Sequence, residues 1–226
     1  MKAYWYASVV AMCCSTIPVA SAHPVEGKPV FLPAMTQAVP EDGEPQIVLK
    51  NDMFNDTAGG QAYLEQGFVT GEKAGVWVAV PADIPLFKPD YFRVMMGGGA
   101  GNQAVTVYFS AGNAPAGGYT TALGAVVQNA AQIQTQATPN TMTDIELTGA
   151  EGQKMPCVKA GDLVVAGLEF THDGAPSIYR DLGPIANPKA NVLCANPGGC
   201  QYSEAFGLQG NWILRIVGHK AKPSEC

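Results

Sequence analysis

Leu163-Val-Val-Ala-Gly-Leu-Glu-Phe170 and Trp212-Ile-Leu-Arg-Ile-Val217 decide how this chain is read. The first is an apolar run bounded by turn residues, Lys159-Ala-Gly-Asp162 before it and His172-Asp173-Gly174 after it, which is the pattern of a strand covered on its faces. The second alternates. Trp212, Leu214 and Ile216 fall on one face, and Ile213, Arg215 and Val217 on the other. An arginine between two apolar neighbours on a covered face needs a counter-charge. The pattern nominates Glu169 or Asp181. Between these strands lie a polar turn cluster, Thr171 to Asp181, and a short loop, Cys194-Ala-Asn-Pro-Gly-Gly-Cys200.

Outward from this block the signals remain strand signals. Ile47–Leu49, Gly67–Thr70, Val76–Val80, Tyr91–Met96, Val105–Phe109, Ala125–Gln128 and Asp144–Leu147 are short apolar or alternating runs. Gly- and Pro-rich turns separate them, such as Gly97 to Gly101 and Gly112 to Gly118. Short strands punctuated in this way predict an all-β sandwich or barrel. Helical periodicity is never sustained for three turns. Gln61–Gln66 and Ser203–Phe206 are each expected to form one helical turn at most, and Ala130–Ala137 fits neither period. Gln and Thr dominate Thr120–Thr143, which predicts a polar edge region or a long excursion loop.

The N-terminus reads as a targeting segment. Lys2 precedes an apolar stretch, Tyr4 to Cys14, shorter than the roughly 20 residues of a membrane span. Ala20-Ser21-Ala22 is a small-x-small cleavage site, so residues 1–22 are expected to be a secretory signal peptide. Met12 is larger than the residue a lipid-attachment motif places before its cysteine, which argues against lipidation at Cys13. Residues 23–45, rich in proline and acid, are expected to form an extended leader, with Phe31-Leu32 docking on a β-domain over residues 46–226.

Of six cysteines, Cys157, Cys194, Cys200 and Cys226 remain after cleavage. An even number in an exported chain predicts disulfides. Asn-Pro-Gly-Gly is a tight-turn sequence that favours Cys194–Cys200, which leaves Cys157–Cys226. No CxxC pair supports zinc. The formal net charge of −6 becomes −7 without Lys2, and there is no basic run, which excludes nucleic acid as a partner. No other apolar run is long enough to span a membrane. The expected location is extracellular or periplasmic.

Several constellations have chemical potential. Asn51, Asp52, Asn55 and Asp56 offer oxygen ligands that either hold a structural calcium or build an Asx-rich turn. His172-Asp173 and Arg180-Asp181, with Ser177 between, read as an acid–base cluster or as a turn capped by its own side chains. Among Trp77, Tyr119, Tyr179, Tyr202 and Trp212, the two tryptophans have core flanks, while Tyr119 and Tyr202 have exposed ones suited to stacking on a ligand. With His172 and Asp173, these two tyrosines are the ligand-binding candidates. Gly99-Ala-Gly-Asn-Gln-Ala104 fits a dinucleotide fingerprint, but Val105 to Phe109 continues it as a strand where that mechanism requires a helix. His23, exposed by cleavage, could ligate copper through its amine and ring with His172 or His219 as the second histidine.

Leu168-Glu-Phe-x-His172, Pro176-Ser-Ile178, Arg180-Asp181, Tyr202-Ser-Glu204 and Gly210-Asn-Trp-Ile-Leu-Arg215, with Gly67-Phe-Val-x-Gly-Glu72 upstream, carry a resemblance. They resemble jelly-roll-like accessory β-sandwich modules of secreted bacterial proteins. The resemblance implies a single antiparallel sandwich and a non-catalytic role, and it leaves the ligand open. The expected function is a secreted, non-enzymatic binding or surface-interaction protein, toward a glycan, a cell-envelope ligand or a protein. The alternative is a secreted copper-dependent oxygenase using His23. No cofactor is expected beyond the calcium. N-terminal sequencing of the exported protein should begin at His23; a retained Met1 or a lipidated Cys13 would overturn this reading.

Overall fold

The computed structural model describes residues 26–35, 45–99, 101–112, 125–135, 142–147, 155–184, 187–196 and 199–226. The expected signal peptide, His23 and Tyr119 lie outside them. The described residues form strands β1 (Glu26–Leu32), β2 (Ile47–Lys50), β3 (Gly60–Gln66), β4 (Lys73–Ala79), β5 (Leu86–Val94), β6 (Met96–Gly97), β7 (Gly101–Gly112), β8 (Ala125–Thr135), β9 (Thr143–Glu146), β10 (Val158–Lys159), β11 (Leu163–Phe170), β12 (Ser177–Asp181), β13 (Asn191–Ala195), β14 (Gly199–Tyr202) and β15 (Leu214–Lys220). Short 3₁₀ turns are the only helical elements among the described residues, one of them at Ser203–Phe206.

The protein is all-β, with three antiparallel sheets, two of them curled as half-barrels. The first runs β1-β3-β12-β6; the second runs β10-β5-β15-β2, with β9 also on β5; the third runs β14-β13-β4-β11-β7-β8. One hydrophobic cluster joins the second sheet (Phe92, Leu214, Ile216) to the third (Val76, Val107, Val164). A second gathers Leu32, Ala62, Leu64, Tyr179 and Ile213. A third puts Trp77, Val165, Val192 and Cys194 together. Alternation explains how the two decisive strands take part. Trp212, Leu214 and Ile216 enter the first cluster while Ile213 enters the second. Val164, Ala166 and Leu168 enter the first while Val165 enters the third, so β11 is apolar on both faces.

Three sequence expectations are corrected here and one open assignment is resolved. Gln61–Gln66 is not a helical turn but lies inside β3, because β1 and β12 pair with it on its two sides and tertiary pairing overrides the helix propensity of Ala-Tyr-Leu-Glu. Within the stretch expected to be a leader, Glu26–Leu32 is a strand paired from Glu26↔Gln66 to Leu32↔Gly60. It buries Leu32 and leaves Phe31 71% exposed. Gly67–Thr70 is not a strand; instead Phe68 turns inward and stacks on Phe170 at 4.2 Å between centroids. The segment Ala130–Thr135, unassigned by period, is strand, as the continuation of β8 along β7.

Both expected disulfides form. Cys194–Cys200 joins two residues that face each other across the β13–β14 hairpin, and Cys157–Cys226 ties the C-terminal end beside β10. With separations of 69 and 6 residues, the chain-entropy account assigns about 4 kcal/mol to the long link and about 2 kcal/mol to the short one. Trp212 is 1% exposed, tilts against Phe68 at 6.2 Å and donates its indole N–H to the Val192 carbonyl at 3.3 Å. Trp212→Ala is expected to cost about 3–5 kcal/mol in denaturant unfolding. Asp173→Ala, which removes exposed caps on Thr70, should cost about 1 kcal/mol. Equal costs for the two would overturn the core placement of Trp212.

Candidate ligand-binding cleft

The cleft begins with the pleat of β3. Ala62 and Leu64 point into the second hydrophobic cluster, so Tyr63 and Glu65 take the opposite face. Arg180 on β12 is the direct register partner of Tyr63. Its guanidinium lies over the Tyr63 ring, 4.7 Å from the centroid, in a cation–π contact. Arg180 Nε donates to Glu65 Oε1, and Nη1 donates to the Gln209 carbonyl. Its neighbour Tyr179 faces the other way into the core, where burial pushes its phenol up to about 12. Glu65 is fully buried. Burial pushes its carboxyl above the usual carboxylate range, and the Arg180 hydrogen bond opposes that.

β1 closes over this group because residue 27 has no side chain. A Cβ at Gly27 would stand 2.6 Å from Glu65 Oε1 and 3.2 Å from Arg180 Nη2. Beside Tyr63 and Arg180 opens a cleft of about 600 Å³, completed by Leu182, Pro184, Glu204 and Gln209. Its far wall approaches β12 at Gly210, where φ is +92° and a Cβ would lie 2.1 Å from the Asp181 carbonyl oxygen, so only glycine fits. Arg180 is balanced by Glu65, and Glu204 adds an exposed carboxylate. The lining thus combines guanidinium donors, carboxylate and amide acceptors, an aromatic ring and two apolar side chains.

The residues nominated from sequence lie elsewhere. Asp52 Oδ1 and Oδ2 accept from Arg215 Nη2 and Nε at 2.7 and 2.9 Å, and Asp56 Oδ2 accepts from Arg215 Nη1 at 2.6 Å. The expected partners Glu169 and Asp181 are therefore corrected: Glu169 pairs with Lys73 at 3.1 Å and Arg180 takes Glu65. Burial pushes the Asp52 carboxyl up against the pull of Arg215, while its carboxylate partners drive Arg215 upward despite burial. Asn55 Oδ1 accepts from Thr57 N, Thr57 Oγ1 and Ala58 N at 2.9–3.1 Å. Asn51 Nδ2 donates to Asn211 Oδ1 at 2.9 Å. This is the Asx-rich turn built around a guanidinium. Its carboxylates do not fit calcium, because a divalent cation would have to displace or face Arg215. Among the described residues, no cluster of three His, Cys, Asp or Glu is placed to hold a metal.

Asp181 is also a turn-forming group. It accepts from Met53 N, from Gly183 N at 3.2 Å, and from Asn211 N and Nδ2 at 3.3 and 3.0 Å. His172 donates from Nε2 to the Pro176 carbonyl at 2.8 Å, and Asp173 Oδ1 caps Thr70 N at 2.7 Å. The His172–Asp181 stretch is thus a capped turn running into a strand. His219 shares its Nδ1 hydrogen with Asp90 at 2.7 Å, so each remaining histidine already has one ring nitrogen engaged. Tyr202 stands one residue before the turn that carries Glu204 into the cleft, without lining it. Trp77, Tyr179 and Trp212 are core residues. No family profile, curated protein or solved structure matches this chain.

Removing Arg180 leaves Glu65 buried and unpaired. Arg180→Met is expected to cost about 3–5 kcal/mol in urea unfolding, and adding Glu65→Gln should recover most of it. An additive double variant would show that the two side chains do not interact in solution.

Proposed function

We propose that this protein is an exported, non-enzymatic β-sandwich of the jelly-roll-like kind, and that it binds a neutral, hydroxyl-rich ligand of glycan type in the Tyr63–Arg180 cleft. The lining of that cleft carries the proposal. A sugar presents apolar C–H faces, which suit Tyr63, Leu182 and Pro184, and hydroxyls, which both donate and accept. Arg180 supplies donors already compensated by Glu65, and Glu204 and Gln209 supply acceptors. With the guanidinium balanced and a further carboxylate exposed, the cleft favours a neutral ligand over a phosphate or a polyanion. Two disulfides favour an oxidising compartment, in keeping with export.

Glycan-array screening followed by calorimetry tests the proposal, using Glu204→Gln and Leu182→Asp because both residues are exposed and the variants should fold. Each is expected to weaken glycan binding about tenfold, equivalent to roughly 1.4 kcal/mol. Wild-type affinity in both variants, or a wild-type protein that retains no glycan, overturns it.

A further inference from the structure

We propose that β8 is a self-pairing edge, through which two copies of this chain join as an antiparallel, two-fold dimer. Among the described residues β8 has a strand on one side only, β7, and ends the six-stranded sheet. It is 11 residues long, about 37 Å of strand at 3.4 Å per residue. The other edges are short or guarded. β1 has 7 residues and carries Glu26, Lys28 and Pro29; β2 and β9 have 4 each and carry Lys50, and Asp144 with Glu146. β10 and β6 have 2 residues each. β14 has 4 and is tied back by a disulfide. Charged, proline-bearing or very short edges resist the addition of a further strand. β8 has none of these guards.

The charge pattern selects a second copy as the occupant. From Val94 to Thr143 the chain runs 50 residues without an Asp, Glu, Lys, Arg or His, in a protein that carries 13 Lys and Arg and 19 Asp and Glu. When a strand pairs with itself in antiparallel across a two-fold axis, a charge near the axis is brought toward its own copy, always with the same sign, and a charge farther out needs an opposite charge at the symmetry-related position. A foreign partner imposes no such requirement, because it can carry the complementary charge. An uncharged edge meets that requirement outright, and in a protein of net charge −6 it is where two copies approach with least repulsion. The composition fits the same end. Val126, Val127 and Ile133 favour strand, and the amides of Gln128, Gln132 and Gln134 both donate and accept, so each is complementary to itself.

Length selects closure over a filament. Pairing β8 with β14 of the next copy would be head-to-tail and propagate, but 4 residues cannot match 11. Pairing β8 with β8 is isologous and stops at two. It would merge two six-stranded sheets into one.

Sedimentation equilibrium of the full exported chain tests the proposal. Wild type is expected to dimerise and Gln128→Lys/Gln132→Lys to sediment as monomer, with its circular dichroism spectrum unchanged because lysines are tolerated on edges. Gln128→Glu/Gln132→Glu should also be monomeric alone, and mixing the lysine and glutamate variants should restore a dimer, which a folding defect could not do. A monomeric wild type at every soluble concentration, a dimer indifferent to the lysines, or an open-ended series of oligomers overturns it.

Discussion

The carboxylate of Asp181 and the amide of Asn211 join the loop after β2, the turn after β12 and the segment before β15. Asp181 takes hydrogen bonds from the loop after β2, from the turn after β12 and from Asn211 itself. Asn211 passes the network on by accepting from Asn51 and from Asn191 at 3.2 Å, and Asn191 in turn accepts from Trp212 N. All of these side chains are buried, so each pair satisfies groups that would otherwise cost about 1–3 kcal/mol apiece. The Arg215–Asp52–Asp56 group lies next along the same chain segments. Burying such a group gives little net stability, since desolvation offsets attraction. What it fixes is register. A one-residue slip of β15 would drive Arg215 into the main core and put Leu214 or Ile216 against the two aspartates.

The cleft depends on this network. β12 presents three consecutive residues to three environments: Tyr179 to the core, Arg180 to the cleft, and Asp181 to Asn211. The two cleft walls, residues 182–184 and 207–210, extend directly from residues that Asp181 holds. Gly210 lets the second wall pack against the β12 backbone. Tyr63 and Arg180 are therefore held in place by the fold itself, and a preordered lining of this kind would lose less side-chain entropy on binding.

The strand Leu163–Phe170 was legible because alternation is a local property of sequence, as was the facing of Trp212–Val217, although the strand there runs Leu214–Lys220 with Trp212 in an isolated bridge. The disulfides were legible through the turn residues between Cys194 and Cys200. The partners of Arg215 were not. They lie 159 and 163 residues away, and no period connects them. The oxygen-rich run from Asn51 to Asp56 was visible as a cluster, but a cluster of carboxylates looks the same whether it awaits a cation or an arginine. The cleft was hidden for a sharper reason. Tyr63 and Glu65 sit in a run of good helix formers, and only the pairing of β3 with β1 and β12 makes them neighbours of Arg180. Once β3 is known to be a strand, a Tyr-x-Glu on the face opposite Ala62 and Leu64 is the signal that was missed.

A pattern in the ion pairs follows from the topology. Most of them join strands or segments far apart in sequence: Lys73 with Glu169 across β4 and β11, and Arg93 with Asp144 across β5 and β9. Arg180 with Glu65 spans 115 residues, and Arg215 reaches back to the loop after β2. In the first two cases the partners are direct register mates. The hairpins between sequence neighbours use other means. β13–β14 is closed by a disulfide, and β7–β8 by a long ladder whose irregularities fall between Val105 and Tyr108. A hairpin inherits its register from its connection, whereas two strands brought together from distant parts of a chain have only their side chains to align them. In a protein so sparsely charged, the charges fall where alignment is otherwise undetermined, and the chain can leave an entire hairpin without any.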